Sequence, residues 1–172
     1  MNNPMDVMYA EHEIIRKAEK VIDDLHLQWE TDESQYLSKL TKLMGFFKEY
    51  ADGFHHYKEE QVLFPALLNH PDFVIPDMVE ALFHHHEEFR EYASDIKQAM
   101  ANGDLKGSYA LLTQYMQELN DHISAENDEL FVLAESLLAP QQLEAIYFRF
   151  KDIDVELGED RKQALEDMIG SM

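Results

Sequence analysis

The sequence predicts an all-α protein: an antiparallel up-down-up-down four-helix bundle with an additional C-terminal helical segment. Apolar residues recur at spacings of three and four along most of its 172 residues, the period of a helix with one buried stripe. Glycine and proline are few, 6 and 5, as an all-helical chain requires. The breaks between periodic stretches are short, which pairs successive helices antiparallel. The expected division is a bundle over residues 1–138 and a helical extension packing on it over 139–172.

Pro4 suits a first helical turn. Met5, Met8, Ile15, Ala18, Ile22, Leu25 and Trp29 then form one stripe, with His12 filling its gap. His26 lies one residue off that stripe. Thr31-Asp32-Glu33-Ser34 supplies cap residues, and a second helix runs to about Leu68, where Asn69-His70-Pro71-Asp72 ends it. The third helix follows Ile75, Val79, Leu82, His86, Phe89, Ala93, Ile96 and Met100. Of the triplet His84-His85-His86, only His86 is in register, because neighbours on a helix point about 100° apart. Ala101-Asn102-Gly103-Asp104 closes this helix, and a fourth runs from about Leu105 to Leu138. After Ala139-Pro140, the positions Leu143, Ile146, Tyr147 and Phe150 predict a fifth helix covering one end of the bundle, and Asp160–Ile169 a short acidic amphipathic piece.

Composition narrows the function classes. No cysteine is present, which excludes disulfides, thiolate metal sites and iron–sulfur clusters held by this chain. Lys and Arg number 14 against 35 acids, a net charge of −21, with no basic patch. Nucleic acid and anionic membrane surfaces are therefore not expected partners. No apolar run approaches the roughly 20 residues that span a bilayer. Asn2-Asn3-Pro4 followed by early acids does not read as a secretion signal, so a cytoplasmic location is expected.

The chemistry is carried by two repeated patterns. Residues four apart share a helix face, and the row Leu43, Phe47, Ala51, His55, Glu59, Leu63, Leu67 is apolar except for one His and one Glu. The row through His56 (Met44, Lys48, Asp52, Glu60, Phe64) is mixed and is expected to border solvent. One buried His-x-x-x-Glu reads most simply as a hydrogen-bonded pair, since an unsatisfied buried polar group is costly. A second copy, His122-x-x-x-Glu126, with Leu-Phe following at the same offset, changes that reading. Each half of the chain carries one lone His (His12, His86) and one His-x-x-x-Glu. The candidate ligands are thus His12, His55, Glu59, His86, His122 and Glu126. Four imidazoles and two carboxylates without sulfur suit iron, with zinc or manganese as substitutes. Six ligands exceed the need of one tetrahedral zinc and fit two metal ions bridged by both glutamates and an oxide or hydroxide. His26, His56, His85 and Tyr57 are expected to be structural.

Glu11-His12-Glu13-Ile14-Ile15-Arg16, His55-x-x-x-Glu59-Glu60-Gln61-Val62-Leu63-Phe64-Pro65, His86-Glu87-Glu88-Phe89-Arg90 and His122-x-x-x-Glu126 closely resemble the hemerythrin-like HHE cation-binding family over about residues 5–138. The resemblance implies a non-haem di-iron centre at the same six positions, and it favours His55/Glu59 over His56/Glu60. Oxygen-carrying members place a further His where this chain has Leu82, so the pattern is more similar to the nitrosative-stress and iron–sulfur repair members. Those carry a Cys-containing N-terminal segment; this chain has no cysteine. The expected function is a di-iron protein that binds or senses dioxygen, nitric oxide or peroxide. The alternatives are an iron-dependent stress enzyme (nitric oxide or peroxide reduction, or iron donation for cluster repair) and a metal-free interaction module. A protein partner or homodimer through the C-terminal segment is also envisaged.

Overall fold

The computed structural model describes all residues, 1–172. It contains helices and no strands. The first arm of the bundle is α1 (Pro4–Arg16) and α2 (Ala18–Asp24), and α3 (Gln28–Thr31) is a single turn leading into the second arm. That arm starts as α4 (Glu33–Phe46), continues through wider π-helical turns at Phe47–His56 and Glu59–Leu63, and ends as α5 (Phe64–Leu68). The third arm is α6 (Pro76–Ala101). The fourth is α7 (Leu105–Ala125), a π-helical turn at Glu126–Leu130, and α8 (Phe131–Leu137). Two helices follow, α9 (Pro140–Leu157) and α10 (Glu159–Ser171).

Local chemistry sets the ends. Asn3 caps α1 by accepting from the Met5 N–H at 3.0 Å, with Pro4 at the first helical position. Asp32 accepts from Gln35 N–H at 3.1 Å to start α4, and Asp104 from Gly107 N–H at 2.9 Å to start α7. Each satisfies an amide with no partner inside its helix. Gly158 turns the chain between α9 and α10 at φ 109, a conformation open in practice to glycine.

The first helix is expected to run unbroken to Trp29, but it breaks at Lys17 and again at Leu25–Leu27. Leu27 adopts φ 59, which costs a non-glycine residue about 1–2 kcal/mol. The turn brings the Trp29 ring to 4.9 Å from that of Tyr109 and 5.9 Å from that of Tyr36, and tertiary aromatic packing overrides the helical pattern there.

Two hydrophobic clusters fill the bundle. One holds Met5, Met8, Leu63, Phe64, Leu67, Val79, Leu82, Leu130 and Phe131, covered by Ile146 and Phe150 of α9. The other holds Ile15, Phe47, Ala51, Phe54, Phe89, Ile96, Leu112, Tyr115 and Leu119, covered by Leu165 and Ile169 of α10. The first and third arms pass from the α9-side cluster to the α10-side cluster, and the second and fourth pass the other way. That is the up-down-up-down course. On every arm the candidate ligand lies between the clusters: His12, His55 with Glu59, His86, and His122 with Glu126. Ile146 and Phe150 of α9 lie in one cluster, and Leu165 and Ile169 of α10, drawn in sequence as a short acidic piece, lie in the other.

A buried ion network ties this extension to the bundle. Lys58 is fully buried. Its Nζ lies 2.6 Å from Glu11 Oε1 of α1 and 2.5 Å from Asp154 Oδ1 of α9, and Lys162 of α10 lies 2.8 Å from Asp154 Oδ2. No helix is long and apolar enough to cross a membrane.

Candidate metal centre

The six candidate ligands come together in one buried layer, each at most 2% exposed. Glu59 presents Oε1 to His55 Nε2 and Oε2 to His86 Nε2, both at 3.2 Å. Glu126 presents Oε2 to His12 Nε2 at 3.2 Å and Oε1 to His122 Nε2 at 3.0 Å. Each carboxylate therefore faces one histidine with each of its oxygens. The donors sort into two groups whose ligand atoms lie within 4.8 Å of one another: His12, His55, Glu59, Glu126, and His56, Glu59, His86, His122.

These contacts are not hydrogen bonds. His12 Nε2, His55 Nε2 and all four oxygens of Glu59 and Glu126 are buried without a hydrogen-bond partner. Two atoms each about 2.1 Å from one ion and at right angles to each other lie about 3 Å apart, and the observed separations have that size. Six orphaned atoms at the spacing of a coordination shell fit a metal cation.

The outward sides of the rings agree. Nδ1 of His12 meets Asn127 Oδ1 at 2.6 Å, that of His86 meets Glu60 Oε2 at 3.3 Å, and that of His122 meets His85 Nδ1 at 3.2 Å. His55 Nδ1 faces Glu11 Oε2 at 3.8 Å. For His12 and His86 an oxygen acceptor at Nδ1 holds the proton there and leaves the Nε2 lone pair pointing inward, the arrangement that orients a metal-bound imidazole; His55 Nδ1 makes no hydrogen bond. Sequence reasoning missed Asn127 and Glu11 as partners, and it placed Glu60 only as a rejected ligand.

Two sequence expectations need correction. His56 does not border solvent; it is 2% exposed and stacks on His86. Nor are the second and fourth arms regular α-helices at the site: the π-helical turns fall at Phe47–His56, Glu59–Leu63 and Glu126–Leu130. Such turns are rare and concentrate at functional positions. Their wider turn brings successive side chains closer in angle than on an α-helix, so His55, His56, Lys58 and Glu59 all leave the surface. His85 stands behind His122, His84 stays exposed, and His26 packs against Trp29 and Tyr109, apart from the layer.

The model of the hemerythrin HHE cation binding domain matches residues 3–134. The chain belongs to the hemerythrin HHE family. A curated relative, an iron–sulfur cluster repair protein (DnrN) of Neisseria gonorrhoeae, is 32% identical over 85 residues, 45% of this chain and 54% of that protein. The chain thus spans about half the length of the curated relative it matches. No solved structure gives a significant match. As a member of a cation-binding family with buried His/Glu clusters, this HHE chain carries a layer that fits a metal cation.

Within the layer, acidic and imidazole charges balance one another. Burial works against a charged His55, but Glu59 and Glu11 outweigh it and hold the imidazole up at about 10. Burial likewise opposes a charged His86, while Glu59 and Glu60 raise it to about 9. Burial and the Glu59 charge push Glu126 up, yet His122 and His12 bring it down to about 2. Glu59 also lies well below the usual range, His55 overcoming burial. His56 moves the other way, taken down to about 3 by burial and by His86.

A pH profile of the metal-free protein follows. His55 and His86 are raised above their ordinary 6.5, so their contribution is complete below pH 6.5 and is lost as pH rises through about 9 to 10. The Glu126 contribution is present above its ordinary 4.5 and is lost as pH falls towards about 2; that of His56 is present above 6.5 and is lost as pH falls towards about 3. Denaturation midpoints measured in chelator should therefore peak near pH 6.5 and fall on both sides. With metal bound, the alkaline limb should vanish, because the cation replaces the protons.

Proposed function

We propose that this layer holds two iron ions bridged by Glu59 and Glu126, and that the centre binds or senses a small ligand: dioxygen, nitric oxide or peroxide. The observation that carries the reading is the division of each carboxylate between two histidines, with no oxygen of either glutamate hydrogen-bonded. His12 and His55 would hold one ion and His86 and His122 the other, completed by an oxo or hydroxo bridge. When bound, the iron supplies an open coordination position and redox capacity. The chain's own residues orient the imidazoles through Asn127, Glu60 and His85, and the two apolar clusters keep bulk water from the layer. Zinc or manganese would serve as substitutes.

A second reading, an iron-dependent stress enzyme or iron donor for cluster repair, is favoured by the function in the name of the Neisseria relative. Reduced protein mixed rapidly with nitric oxide or dioxygen separates the two: a reversible adduct supports binding or sensing, and repeated turnover supports the enzyme.

Protein made in iron-replete cells should carry two irons per chain and absorb in the near ultraviolet; one zinc and no colour would end the di-iron reading. Removing the metal should lower stability as well. A ligand that binds only the folded state contributes about 2.7 kcal/mol at a free concentration one hundred times its Kd. For a chain of this size that is roughly 5–10 °C in Tm, read by thermal unfolding with and without chelator.

A further inference from the structure

We propose that the cavity between the second and third arms binds a small aromatic carboxylate, at a site separate from the buried His/Glu layer and independent of the two-ion reading. The cavity measures about 290 Å³, at the small end of ligand pockets, and so admits one ring with its substituents. Met44, Phe47, Phe89 and Tyr115 wall it, and all four are buried. The Tyr115 ring meets those of Phe47 and Phe89 edge to face, with centroids 4.7 and 5.5 Å away, the packing by which aromatic side chains also hold a further ring. None of the six candidate metal ligands lines the cavity.

Charge selects what the mouth takes. Lys48, Arg90 and Lys97 line this one cavity against a single acid, Asp52. Arg90 spends its charge on that acid, donating from Nε to both Asp52 oxygens at 3.0 and 3.1 Å, and on Glu60 at 2.6 Å. Lys48 and Lys97 are exposed and make no ion pair. On a chain of net charge −21, two such lysines at one opening suit an anion, and a carboxylate meets them with charge-assisted hydrogen bonds. The floor asks for something else. Of the three buried tyrosines, Tyr36 meets Ser108 Oγ at 2.8 Å and Tyr50 donates to Glu166 at 2.7 Å, whereas the Tyr115 O–H has no protein partner. Burial and the Asp52 charge raise the Tyr115 phenol far above its ordinary range, so it stays a donor, and a buried phenol of this kind usually finds an acceptor. An oxygen on the ring, opposite the carboxylate, supplies one.

The probe is 4-hydroxybenzoate, titrated by calorimetry and against the methyl resonances of methionine-labelled protein, both as purified and after chelation. One molecule should bind per chain with closely similar affinity in both samples, moving the Met44 methyl while those of Met5 and Met8, in the other cluster, stay in place. Replacing both exposed lysines, Lys48→Gln with Lys97→Gln, should weaken binding about tenfold. Benzoate, without the ring oxygen, should bind about fivefold more weakly than the probe, and Tyr115→Phe should erase that difference. Absence of saturable binding, undiminished binding in the double lysine variant, or a Met44 methyl that does not move would overturn the proposal. Binding that disappears on chelation would place the anion on a metal and overturn it as well, while leaving the two-ion reading standing.

Discussion

On the proposed two-ion reading, replacing Glu59 with alanine should strip both metal ions from the bundle at once. A carboxylate that served one ion would, when removed, leave the other in place. Glu59 instead gives one oxygen to the His55 side and one to the His86 side, at 3.2 Å each, so in the proposed centre its loss would take a ligand from each ion and leave the histidine pairs without a bridge. Glu126→Ala should do the same, since its oxygens divide between His12 and His122. Metal analysis after gel filtration should find well under one ion per chain in either variant. Glu60→Ala is the informative contrast. Glu60 accepts from His86 Nδ1 at 3.3 Å and is held by Arg90 at 2.6 Å. It orients one ligand, and losing such a partner costs about 10–100-fold in metal affinity. Both ions should survive purification in Glu60→Ala and leave sooner in chelator competition. Equal loss in Glu59→Ala and Glu60→Ala would mean that the bridging assignment is wrong.

Lys58→Ala should be among the most destabilising single substitutions away from the ligands. The lysine is fully buried and stands between Glu11 and Asp154. Removing one member of a buried ion network strands the charges left behind, at about 3–5 kcal/mol. Lys162, 2.8 Å from Asp154 Oδ2 and 3.7 Å from Glu11 Oε1, would compensate only in part. Burial opposes an ionised Glu11, while His55, Lys58 and Lys162 together hold it down at about 2; without Lys58, only His55 and Lys162 remain to support it. Urea denaturation of the metal-free protein should show the loss without any change in metal content to confuse it. Asp154→Ala should weaken the attachment of α9 and α10 through the same network. A loss under about 1 kcal/mol in Lys58→Ala would show that the network contributes nothing to holding the extension.

Much of this was legible in the chain, and the misses have identifiable causes. The row Leu43 to Leu67 is buried at every member, so reading every fourth residue survived even where the helix widens. The same device, applied to the row Phe46, Tyr50, Phe54, Lys58, Val62, Ala66, would have flagged Lys58 as a lone charge in an apolar stripe. It could not have named Asp154, which arrives from almost a hundred residues away. His56 was misplaced because a regular helix puts it about 100° from His55. The break after Leu25 has no glycine or proline to announce it; it exists because Trp29 packs on Tyr36 and Tyr109.

The sequence by itself determined the helical class, the course of the arms and the six polar side chains drawn into an apolar interior, because each follows from a repeat within one helix and from the cost of burying a polar group alone. Only the tertiary structure decided how those six divide into two groups, which acceptor stands behind each imidazole, and that His56 and Lys58 are inside. Those depend on which atoms of different arms meet at about 3 Å, and no periodicity along a single arm contains that distance.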